Sequence, residues 1–80
     1  SPPRIGLDVL KREANLFQCK LTTDIPAFYV SLDAGSLEGR FSDNCLTLLP
    51  GEEKIVFFRH VGTEDLSVEV FREMTAVFHL

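Results

Sequence analysis

Tryptophan is absent from this chain, and tyrosine and methionine occur once each. Stacking on sugar rings favours broad aromatic faces with a polar tip, so Tyr29 and the exposed phenylalanines make a poor platform for that purpose. Cysteine is scarce as well. Cys19 and Cys45 allow one disulfide at most and no disulfide framework. No CxxC pair is available to start a metal site, and two histidines scattered among two cysteines do not make the paired spacing that zinc requires. The eight basic residues form no run and the net charge is −4, which argues against nucleic acid and anionic membranes as partners. No apolar run approaches the roughly 18–20 residues of a bilayer-spanning helix, and no signal-peptide pattern opens the chain. These features select no compartment.

What is present is apolar. Hydrophobic residues make up 45% of 80 positions, enough for the core of one domain. A domain of this size buries only about 60–65% of the surface its unfolded chain exposes. The apolar content is rich for a small free-standing domain, which predicts a face buried elsewhere.

Residues 1–4, with two prolines, read as an extended linker or an appended tail. The domain proper is expected over 5–80. Ile5, Leu7 and Val9 alternate with polar or small neighbours, the pattern of a half-buried strand. Phe17, Cys19 and Leu21 repeat it beyond a polar turn at 11–15. After the Pro26 break, Phe28, Val30 and Leu32 are expected on one face, with Tyr29, Ser31 and Asp33 opposite. Leu46 and Leu48 follow, then the Pro50-Gly51 turn. Ile55-Val56-Phe57-Phe58 is apolar on both faces, which predicts a central strand covered on both sides. Leu66, Val68 and Val70 alternate, so a sixth strand is expected through about Phe71. Val70, Phe71, Met74, Val77 and Phe78 also fit helical spacing, and 76–80 fit an edge strand, so the tail stays open. Six short strands between turn signals, with no convincing helix, predict an all-β, antiparallel, immunoglobulin-like β-sandwich.

The stretch that organises the chain is Gly39-Arg40-Phe41-Ser42-Asp43-Asn44, before Leu48-Leu49-Pro50-Gly51-Glu52 and the apolar strand 55–58. It is preceded by Phe28-Tyr29-Val30-Ser31-Leu32-Asp33 and Gly35. In this order the residues resemble the C-terminal immunoglobulin-like domain of β-mannosidases in glycoside hydrolase family 2. Relatives often carry an aromatic where Ser31 or Cys45 stands here. The resemblance implies a parent enzyme that removes terminal β-linked mannose with two carboxylates held about 5–5.5 Å apart on a barrel domain. It places neither carboxylate in this chain. It implies a non-catalytic accessory domain whose partners are the other domains of the same polypeptide, including the catalytic barrel. An independent carbohydrate-binding or adhesion module is the alternative.

Residue by residue, the signature reads first as structure. Asp43 and Asn44 suit bonding to nearby backbone, and Phe41 suits anchoring the loop. A functional reading has Arg40 and Asp43 reaching a neighbouring domain or a sugar. Asp33, Glu38, Asp43 and Asn44 offer oxygens to calcium but match no calcium-loop spacing. Glu52 and Glu53 sit in a turn and point apart, so no pair of facing carboxylates is expected. Cys19 reads as a buried, inert thiol and Cys45 as facing outward or a neighbouring domain, without a bridge between them. His60 and His79 have no sequence tie to either cysteine. Val56, Phe58 and Phe71 are the candidate interdomain contacts, as an outward apolar patch. No catalytic residue, metal site or cofactor is expected.

Overall fold

The computed structural model describes residues 2–80. The order is β1 (Ile5–Glu13), β2 (Leu16–Thr23), β3 (Ala27–Asp33), β4 (Gly39–Phe41), β5 (Leu46–Leu48), β6 (Lys54–His60), α1 (Val68–Met74) and β7 (Ala76–Phe78). One sheet runs β1-β2-β6-β4 and the other β5-β3-β7, antiparallel throughout. Together they form the all-β, immunoglobulin-like sandwich.

The clean alternation of β2 sets the layers. Phe17, Cys19 and Leu21 point inward and are fully buried, with Gln18 and Lys20 on the outer face. Register then fixes β6: Phe58 lies opposite Phe17 and Val56 opposite Cys19. From the other sheet come Ala27, Val30, Leu32 and Leu48, which close one continuous core. Burying each of the larger side chains, the phenylalanines, leucines and valines, contributes about 1.5–3 kcal/mol.

The expected strand at 66–71 is a helix instead. Ser67 caps α1, its Oγ accepting from the Val70 N–H at 3.2 Å. As a strand, the stretch would turn Leu66, Val68 and Val70 to the core and leave the larger Phe71 outside. As a helix it buries Phe71 completely and leaves Val70 in solvent. Phe71 stacks on Phe17 at 4.5 Å and meets Phe58 at 5.1 Å, joining the core on the inner face of the four-stranded sheet. Lys11 holds the approach to the helix, with Nζ 2.9 Å from Asp65 and donating to the Leu66 carbonyl at 2.6 Å. Thr75 ends the helix and the chain turns into β7, a strand alongside β3.

The β3 parity also departs from simple alternation. Ala27 pairs with Leu48 and Val30 with Leu46, so two residues, Phe28 and Tyr29, oppose the single Thr47. This is a β-bulge, with Tyr29 at φ 53. It turns Phe28 out of the core, where alternation had placed it.

Of residues 1–4, Ser1 lies outside the described residues. Arg4 is tied down: its N–H donates to Asp24 Oδ1 at 2.7 Å, and Asp24 N–H donates to the Arg4 carbonyl at 3.3 Å.

Candidate functional site

The signature stretch is the crossover from one sheet to the other. Gly39–Phe41 pairs with β6 in the four-stranded sheet, and five residues later Leu46 pairs with β3 in the other. Gly39 sits where a Cβ would collide with the Arg59 carbonyl and the Phe58 ring, so only glycine fits there. Phe41 packs its ring 4.7 Å from Phe58. Ser42 continues the ladder for one residue: its N–H donates to the Phe57 carbonyl at 2.7 Å, and its Oγ accepts from the Phe57 N–H at 2.9 Å. Asp43 turns its carboxylate onto the Asn44 N–H at 2.8 Å. Asn44 spans to β3, accepting from the Leu32 N–H at 2.7 Å and donating to the Leu32 carbonyl at 3.1 Å. Cys45 then takes φ 55, which lets the chain enter β5.

Three of the four side chains considered for calcium, Asp33, Asp43 and Asn44, are thus engaged with backbone, and Glu38 lies apart in the hollow beside His60. Asp33 Oδ1 accepts from the Gly35 N–H at 2.7 Å, and Asp43 and Asn44 are bonded as above. Among the described residues, no three His, Cys, Asp or Glu side chains gather to hold a metal ion.

Both cysteines are free. Burial pushes the Cys19 thiol up to about 11. Cys45 is exposed, with Sγ 3.5 Å from Ser31 Oγ. His60 ends β6 facing inward, buried, with Nδ1 lacking a hydrogen-bond partner. It lines a polar hollow at one end of the sandwich with Glu38 and Glu64.

The expected contact patch of Val56, Phe58 and Phe71 is corrected. These side chains are 1%, 1% and 0% exposed and belong to the domain's own core. Alternation could not choose between the two apolar faces of β6, and the register with β2 turns Val56 and Phe58 inward. The outward pair is Ile55 and Phe57, at 44% and 36% exposure. Phe57 lies with Leu16, Phe41 and Ser42 in a groove of about 500 Å3 bordered by Arg40 and Arg59. A second apolar surface lies on the outer side of the other sheet. Phe28, Tyr29 and Phe78 are 51%, 64% and 57% exposed there, with Ser31 opposite Phe78. Simple alternation puts Tyr29 outward but Phe28 inward, and the structure exposes both. No residue pattern announces the bulge that brings Phe28 out beside Tyr29.

The residues that surround Asn44 and Gly39 fall within a match to the family model of the mannosidase Ig-fold domain, which spans residues 1–80. The chain belongs to this Ig-fold domain family. No curated protein matches it. Membership agrees with the two-sheet, antiparallel architecture. In this mannosidase Ig-fold domain the signature serves the fold visibly, through backbone hydrogen bonds made by Ser42, Asp43 and Asn44. Arg40 is the exception, pointing outward from an edge strand with no ion-pair partner among the described residues.

Proposed function

We propose that this chain is a non-catalytic, C-terminal accessory domain of a β-mannosidase-like glycoside hydrolase of family 2. It packs against the other domains of that polypeptide, the catalytic barrel among them, and the parent enzyme hydrolyses terminal β-linked mannose. The observation that carries this reading is the family match over the whole chain. The exposed apolar side chains on both outer sheet faces support it, because a small domain in water gains nothing from holding Ile55, Phe57, Phe28 and Tyr29 at its surface. The test is hydrolysis of a chromogenic β-mannoside. The full polypeptide is expected to turn it over and the 80-residue chain to be inert. Turnover by the 80-residue chain would contradict the reading.

The bulge supports a second reading, an independent carbohydrate-binding or adhesion module. It places Phe28 and Tyr29 side by side in solvent, near Phe78. Calorimetry with mannobiose distinguishes the two: measurable heat of binding, lost in Tyr29→Ala, favours the module.

A further inference from the structure

Arg40 on β4 and Arg59 on β6 lie directly opposite each other. The preceding pair, Gly39 and His60, faces inward with His60 buried, so both arginines face outward, and both are exposed. Outward residues paired this way hold their Cβ atoms about 4.5–5.5 Å apart, and like charges there repel. The chain has twelve acidic residues, yet among the described residues its ion pairs are Lys11–Asp65 and Lys20–Glu53, and neither involves these arginines. Beside the arginines runs the groove lined by Leu16 and Phe57 on the outer face, and also by Phe41, whose ring packs on the inward Phe58. Ile55 continues it along β6, opposite Lys20. An unneutralised cationic pair on an apolar floor, in a chain of net charge −4, is complementary to a surface that is apolar at its centre and acidic at its edge.

We propose that the outer face of the four-stranded sheet docks a neighbouring domain of the same polypeptide. The contact is centred on Phe57 and Ile55, and a carboxylate of that domain sits between Arg40 and Arg59. This inference rests on the accessory-domain reading above. Phenylalanine and arginine are enriched at protein contacts relative to the rest of the surface, and the planar guanidinium group suits bidentate pairing with a carboxylate. Docking turns the repulsion between Arg40 and Arg59 into attraction to a shared partner. The apolar floor selects against a free inorganic anion, which gains nothing from Phe57.

The test compares melting of two proteins, the 80-residue chain and the native polypeptide that carries it, each with Arg40→Glu. In the chain alone, this substitution replaces a like-charge cross-strand pair by an opposite-charge pair and is expected to raise Tm by roughly 1–4 °C. In the native polypeptide it sets a like charge against the docked carboxylate, and the transition of this domain is expected to fall. Phe57→Ser is the second variant. It is expected to lower the domain's transition in the native polypeptide by several degrees more than in the chain alone. Shifts of equal sign and size in both proteins, for both variants, would overturn the docking proposal while leaving the accessory-domain reading intact. A native polypeptide of mass near 9.0 kDa overturns both. Sedimentation of the 80-residue chain as a dimer that Arg40→Glu dissolves would make a second copy the occupant and also overturn the proposal.

Discussion

Asn44 completes the β3 ladder with its side chain, accepting from the Leu32 N–H at 2.7 Å and donating to the Leu32 carbonyl at 3.1 Å. Val30 pairs with Leu46, so Leu32 would face position 44 if β5 began two residues earlier. The amide imitates a backbone partner at the point where the chain crosses between sheets. Asn44→Ala leaves both Leu32 groups unpaired and is expected to cost about 1–3 kcal/mol. Denaturant melts measure the loss, and amide exchange at Leu32 is expected to accelerate selectively.

Phe58 and Phe71 belong to the core. Phe58→Ala and Phe71→Ala are each expected to cost about 3–5 kcal/mol, a large share of the stability of a small domain. Phe57→Ala, one residue along on the opposite face, is expected to cost the isolated chain about 1 kcal/mol or less. Equal losses for Phe57→Ala and Phe58→Ala in chemical denaturation would contradict the register described here.

The two thiols separate by burial. A chromogenic disulfide reagent is expected to titrate Cys45 rapidly in the native protein and Cys19 only after unfolding. The folded thiol of Cys19 loses its proton near 11 rather than the usual 9.0. The folded state therefore holds the proton more tightly than the unfolded state. The stability this contributes is fully present below pH 9 and is lost as pH rises towards 11. Cys19→Ala is expected to flatten that alkaline slope.

On the acid side, the sign reverses. The Arg4 N–H hydrogen bond holds the Asp24 carboxyl below its usual range, and the Lys11 ammonium does the same for Asp65. Both groups favour the folded state above the ordinary aspartate range, and that contribution disappears as pH falls through their lowered folded values. Asp24→Asn and Asp65→Asn are expected to lessen the fall in Tm between about pH 4 and pH 2. Because both carboxylates are exposed, added salt is expected to shrink the effect at Asp65.

Alternation was sufficient in β2, where one face is cleanly polar. Phe17, Cys19 and Leu21 go inward as their spacing requires, and the two-sheet architecture follows from such strands and their turns. It failed where both faces are apolar. In β6 the choice between Val56–Phe58 and Ile55–Phe57 is made by pairing with Phe17 and Cys19, a long-range fact that periodicity does not contain. It failed again at Phe28, where one inserted residue resets the phase. At Leu66–Phe71 the local pattern favoured a strand, and tertiary burial of one large ring against Phe17 outweighed it. The signature Gly39–Asn44 was legible as an organising stretch because it joins the flanking apolar segments and carries the family resemblance, and Asp43 and Asn44 bond backbone as their residue types suggest. That Arg40 would face Arg59 was not legible, since that pairing depends on the β4–β6 register.

The central claim is that this domain is one part of a larger glycoside hydrolase. Mass spectrometry of the native polypeptide containing Arg40–Asn44, taken from a source extract, tests it most directly. The account predicts a mass many times the 9.0 kDa of this chain. A native mass near 9.0 kDa would contradict it, and the apolar outer faces would then need a separate partner, a ligand or self-association to account for them.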